Sequence, residues 1–124
     1  MNYEIPEKWV TSVNRGEVDE IMACYHEKAS LLATFEARPL KSFEEIRNYF
    51  VGFTSKEGSG VRIDQPSLSH DPLGDGFYFA TGLYEFYSLK ERNLVRHLAR
   101  FTFTTKGDPN ESILHHHSSL IPPR

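Results

Sequence analysis

Near the C-terminus, the run His115-His116-His117-Ser118-Ser119 sets three imidazoles beside two hydroxyls. These groups move protons and bind small anions near neutral pH. Ile113-Leu114 precedes the run and Leu120-Ile121-Pro122-Pro123 follows it, a context that fits the last strand of a small domain. Alternate side chains of a strand share a face, roughly 6.6–7 Å apart. His115, His117 and Ser119 therefore project one way, and His116 and Ser118 the other, and one of these faces is expected to line a cavity. Three histidines followed by natural-looking sequence are not a purification tag. Strand histidines also occur as packed, hydrogen-bonded core residues. His115 and His117 have a spacing that suits zinc, but zinc needs a third ligand. No HExxH or CxxC supplies one, so neither a metal nor a cofactor is expected.

Other polar groups stand in apolar surroundings. In the stretch Leu94 to Thr105, Arg96, Leu98, Arg100 and Thr102 share one face, and His97, Phe101 and Phe103 the other. Arg100, between Ala99 and Phe101-Thr102-Phe103, looks badly placed for solvent, and a buried guanidinium needs a partner. Either a carboxylate such as Glu85 supplies it, or a bound anion does. Thr34 ends Leu31-Leu32-Ala33, and Tyr25 and Tyr49 sit beside apolar helical faces. Each hydroxyl alone is an ordinary core side chain with one satisfied bond. Together with the His/Ser run they can form a small polar pocket inside an apolar shell.

These groups need elements to position them. Pro6 suits a first helical turn, and Trp9, Val10 and Val13 recur at helical spacing until Gly16. A second helix is expected from about Glu17 to His26, with Val18, Ile21, Met22 and Tyr25 on one face. Ser30 to Phe35 reads as a short strand. Ser42-Phe43-Glu44-Glu45 is a capping box that opens a third helix with Phe43, Ile46, Phe50 and Phe53 along its apolar face. After Gly60 the period becomes that of strands: Val61 to His70, bent near Pro66; a turn over Asp71-Pro72-Leu73-Gly74-Asp75-Gly76; Phe77 to Leu89; Leu94 to Thr105; a turn at Lys106-Gly107-Asp108-Pro109-Asn110; and Glu111 to Leu120. Helices followed by long strands argue for an α+β fold, with a curved antiparallel sheet wrapped as a cone around N-terminal helices.

The 124 residues fit a single domain, 1–124, and 39% hydrophobic and 13% aromatic residues suffice for a core. A net charge of −3 with scattered Lys and Arg argues against a nucleic-acid surface. No apolar run is long enough to span a membrane, and the polar start Met1-Asn2-Tyr3-Glu4 is no signal peptide. A cytoplasmic location is expected. The one cysteine, Cys24, excludes an internal disulfide and is expected to pack rather than react. Both faces of the long strands are rich in apolar residues. One must cover the helices, and the other is expected to cover a second subunit as a homodimer or higher oligomer.

Trp9, Arg15-Gly16-Glu17-Val18-Asp19-Glu20-Ile21, Tyr25-His26-Glu27-Lys28-Ala29 and Leu31-Leu32-Ala33-Thr34 together resemble the opening of a nuclear transport factor 2-like, or cystatin-like, domain. Ile46-Arg47-Asn48-Tyr49-Phe50, Ala99-Arg100-Phe101-Thr102-Phe103 and the HHHSS run resemble the branch that holds the association domain of calcium/calmodulin-dependent protein kinase II. The same ending is similar to that of iota-class carbonic anhydrases, some of which work without metal.

The second resemblance implies a metal-free hydration of CO2. Thr34, Tyr49, His116 and Ser118 would be its catalytic groups, with His116 as general base and the three hydroxyls around bicarbonate. Strand parity favours His116 with Ser118; a one-residue bulge would substitute His117 with Ser119. Arg100, Tyr25, His117 and Ser119 complete the expected anion-binding set. In the kinase association domain an Arg points into the pocket where Arg100 lies, and a second pocket Arg falls at Ser118 here. That resemblance implies instead a non-catalytic module that binds a small carboxylate and oligomerises. A third reading, an isomerase or cyclase of the ketosteroid isomerase or polyketide cyclase type, needs a pocket carboxylate, for which Glu85 is the one plausible strand residue.

Overall fold

A computed structural model describes residues 3–108 and 110–123. Met1, Asn2 and Pro109, which enter the expectations for the N-terminus and the last turn, lie outside the described residues.

Helix α1 (Ile5–Arg15) starts on Pro6 in its first turn and stops at Gly16. Gly16 adopts a left-handed φ of 66° and donates its N–H to the Val13 carbonyl, a conformation that costs least for glycine. Helix α2 (Val18–Ala23) is shorter than expected. Strand β1 (Tyr25–Leu32) begins directly after it, and Tyr25 pairs with Ile113. Sheet pairing therefore takes Tyr25 and His26 away from the helical pattern of the preceding residues.

Helix α3 (Phe43–Thr54) opens as the capping box predicts: Ser42 Oγ accepts from the Glu45 N–H at 3.1 Å and donates to Glu45 Oε1 at 3.0 Å. The bend near Pro66 is a 3₁₀ turn, Gln65–Ser67, between β2 (Gly60–Ile63) and β3 (Ser69–Gly74). The expected six-residue turn is instead mostly strand, and only Asp75-Gly76 turns the chain, with φ of 53° and 84°. Pro72 is tolerated because β3 pairs with β4 alone, so no second neighbour needs an N–H there. Strands β4 (Phe77–Lys90) and β5 (Asn93–Thr105) form a long hairpin through Glu91-Arg92. Strand β6 (Ile113–Leu120) starts after Glu111, whose N–H is held by the Ala23 carbonyl at 2.7 Å.

The sheet runs β1-β6-β5-β4-β2, with β3 beside β4. Its pairings are antiparallel except that β1 lies parallel to β6. The three helices and this curved, unclosed sheet make the α+β cone. Alternation sorts the faces. Tyr78, Ala80, Tyr84 and Phe86 of β4 point inward, as do Ala99, Phe101 and Phe103 of β5 and His116 and Ser118 of β6, and all are buried. They meet Ile5, Trp9 and Val13 of α1 and Ile46, Phe50 and Phe53 of α3 in one core. The outer face carries Leu32, Phe79, Leu83 and Leu98, which stay 37–57% exposed. Among the described residues no helix is long and apolar enough to cross a membrane.

Candidate functional site

The inward parity of β6 places His116 at the centre of the cone with 1% exposure. Phe103 stacks on its ring at 4.1 Å between centroids, and Trp9 meets it edge-on at 5.2 Å. Both nitrogens are engaged. The Tyr25 hydroxyl lies 2.8 Å from Nδ1 and the Tyr84 hydroxyl 3.1 Å from Nε2. The Trp9 indole N–H donates to the Tyr25 oxygen at 3.1 Å. Next along β6, the Ser118 hydroxyl is hydrogen-bonded to Thr34 Oγ1 and also interacts with the Tyr84 phenol. Thr34 stands just past the end of β1, the strand that runs parallel beside β6.

A cavity opens on this cluster. Polar groups of Thr34, Tyr49, Tyr84, His116 and Ser118 line it, set among Trp9, Phe50, Phe53 and Phe86. Packing leaves about 10 Å³ for the centre of a water-sized guest, close to the minimum for one water. Tyr49 and Phe53 also border an outer vestibule of about 280 Å³, with Phe35, Asn48, Gly52 and Lys56 on its walls. The Phe35 main-chain N–H reaches the Tyr49 hydroxyl. The Lys56 ammonium lies 5.4 Å above the Phe35 ring and 6.0 Å from that of Phe53.

Burial sets the ionisation of these groups. Desolvation holds His116 well below the ordinary histidine range, and the neighbouring His115 and His117 add to the effect, so the ring is neutral at pH 7. Burial also pushes the Tyr25 and Tyr84 phenols up and Tyr49 to about 12. The site is thus an array of neutral hydroxyls and one neutral imidazole.

Four of the residues expected at the site, Thr34, Tyr49, His116 and Ser118, come together here. Tyr25 stands behind His116 and touches it, away from the cavity lining. Arg100, His117 and Ser119 do not reach the cavity, because the regular strands turn them to the outer face. Arg100 is exposed there and donates its Nε–H to Ser119 Oγ at 3.2 Å. Its expected partner Glu85 lies instead between Arg62 and Arg96, at 3.7 and 3.8 Å. His115 also faces out, with Ser30 Oγ 2.7 Å from its Nδ1. Cys24 is buried and its thiol is raised to about 11 by that burial. Among the described residues, no three His, Cys, Asp or Glu side chains group as metal ligands do.

Sequence reasoning passed over Trp9, Tyr84 and Lys56. The alternation Tyr78-Ala80-Gly82-Tyr84-Phe86 was the available signal for Tyr84. The indole of Trp9, a donor with no acceptor, was the signal for Trp9.

No protein-family model matches the sequence, and none of the curated proteins resembles it closely enough to count as a relative. Solved structures do match in fold. A protein from Xanthomonas campestris, assigned as a calcium/calmodulin dependent protein kinase II association domain, superposes with a TM-score of 0.85 at 24% identity, over 98% of this chain and 86% of that one. A ketosteroid isomerase-like protein from Erwinia carotovora atroseptica gives 0.75 at 12% identity, over 99% and 100%. A nuclear transport factor 2-like superfamily protein from Salmonella enterica gives 0.77 at 14% identity, over 97% and 88%. The chain has the nuclear transport factor 2-like, cystatin-like fold. That fold hosts many activities, so function has to be argued from the site.

Proposed function

We propose that this protein is a self-associating binding domain for a small carboxylate or bicarbonate. The observation that carries this reading is the meeting of the Thr34, Tyr49 and Ser118 hydroxyls in one cavity beside a histidine whose two nitrogens are already engaged. Such a site offers hydrogen-bond donors to an oxygen and has no free base. An oxygen of the guest enters the inner cavity, and its small body lies in the vestibule under Lys56. Self-association uses the outer sheet face, where Leu32, Phe79, Leu83 and Leu98 are exposed and where burial against a second copy removes apolar area from water. The likeness to an association-domain structure supports this part of the reading. The test is calorimetric titration with formate, acetate and bicarbonate, together with light scattering. Saturable binding by a dimer or larger assembly is expected. A monomer that takes up none of the three anions defeats the proposal.

Metal-free hydration of CO2 is the second reading. The observation in its favour is that Thr34, Tyr49, His116 and Ser118 line one cavity, as the resemblance to iota-class carbonic anhydrases implies. Its weak point is the base, since both nitrogens of His116 are engaged by phenols and the one that carries the lone pair must first be released to take a proton from water. Stopped-flow hydration by chelator-treated protein decides it: a rate at the buffer level removes this reading and leaves the binding reading standing. An isomerase or cyclase activity has less support, because no carboxylate lines the cavity to abstract a proton from carbon.

A further inference from the structure

The direction of every hydrogen bond around His116 follows from Trp9. An indole N–H can only donate, and its partner is the Tyr25 oxygen. The Tyr25 phenol is completely buried, and its other neighbour is His116 Nδ1. A buried hydroxyl proton left unpaired is costly, so the phenol donates to Nδ1. Nδ1 therefore carries a lone pair, and the proton of the neutral ring sits on Nε2. Nε2–H donates to the Tyr84 oxygen at 3.1 Å. Tyr84 still holds its own proton, and its hydroxyl stands at the cavity beside the hydrogen-bonded pair Ser118 and Thr34. That phenolic proton, which His116 does not use, is the donor the chain leaves at the cavity.

We infer that Trp9 is the positioning residue of the site: it fixes a one-way chain from Trp9 through Tyr25 and His116 to Tyr84, which leaves the Tyr84 hydroxyl as a hydrogen-bond donor at the cavity and selects acceptors such as a carboxylate oxygen. This inference rests on the reading of the cavity as a ligand site. His116 acts in it as a relay of polarity and not as a base. Trp9 is also part of the cavity wall, but it offers the guest no hydrogen bond, because its N–H is spent on Tyr25.

The tautomer of His116 tests the chain directly. Nitrogen NMR on histidine-labelled, ligand-free protein should show a neutral ring with the proton on Nε2. A proton on Nδ1, or an imidazolium at neutral pH, overturns the inference. Trp9→Phe keeps an aromatic ring and removes the donor. It should give a mixture of tautomers and several-fold weaker formate binding with the fold intact by circular dichroism; an unchanged Nε2–H tautomer in that variant overturns the role of Trp9. Tyr25→Phe is the second variant should Trp9→Phe not fold: it removes the donor to Nδ1 and should weaken formate binding several-fold, and binding as tight as that of the wild type would count against the chain. An Nε2–H tautomer in wild-type protein that binds no formate supports the chain and defeats the ligand class alone, so the two readings fail separately.

Discussion

Phe103 and His116 face each other across the β5–β6 pair with their rings stacked at 4.1 Å and 23°. A neutral imidazole fits against this apolar ring, whereas an imidazolium there would lose its hydration without gaining a counter-charge. Burial accordingly lowers the affinity of His116 for a proton in the folded state. Below the unfolded-state value of about 6.5 the unfolded chain binds a proton that the native state refuses, so stability falls as pH falls. The limiting slope is about 1.4 kcal/mol per pH unit for one such group. Unfolding in urea between about pH 7 and pH 5.5 should show this loss, and His116→Gln should flatten it. His115, which is also lowered, chiefly by burial, contributes in the same direction, so His115→Gln is the matched control. Equal slopes in wild type and His116→Gln would contradict the buried neutral ring.

Thr34 ends the polar cluster at the cavity, and its hydroxyl meets Ser118 from the neighbouring strand. Thr34→Val keeps the shape and removes the donor. One hydrogen bond contributes about 1 kcal/mol, so formate or bicarbonate affinity should drop by about fivefold. Stability should fall by a similar amount, because Ser118 loses its partner. Calorimetric titration separates the two effects, and unchanged affinity would show that the guest does not touch Thr34.

Much of this architecture was legible in the chain. The period of two from Phe77 to Thr105 fixed the long hairpin, and the Ser42/Glu45 pair marked the start of α3. The parity of β6 placed His116 and Ser118 on one face because the strand has no bulge between them. What sequence could not show was which face of β5 turns inward around Arg100. Both faces hold apolar residues there, and only pairing with the helices decides that Ala99, Phe101 and Phe103 go in. The size of the cavity was equally hidden. It depends on how Trp9, Phe50, Phe53 and Phe86 pack together from three separate elements. Tyr25 was misplaced on a helix because local periodicity spoke for helix while the long-range partner Ile113 takes it into the sheet.

The two faces of the sheet should respond separately to mutation. Arg100 bonds Ser119 on the outer face, so Arg100→Ala should leave formate affinity unchanged. Leu83→Glu places a charge in the apolar patch beside Arg100. It should shift the assembly toward monomer, measured by light scattering across a concentration series. An assembly that survives Leu83→Glu and Leu98→Glu together would place the contact elsewhere.

Lys56 is the cation at the vestibule, held over the Phe35 and Phe53 rings. A surface ammonium near an anion contributes about 0.5–1 kcal/mol in water, equivalent to roughly two- to fivefold in affinity. Lys56→Gln should therefore weaken formate binding by about that factor at low salt. The gap should narrow as ionic strength rises, since screening acts on the charged protein alone. Lys56→Arg should retain the wild-type salt dependence. Dissociation constants measured for the three proteins at low and high salt check this, and parallel curves for wild type and Lys56→Gln would mean that the guest is uncharged or enters by another route.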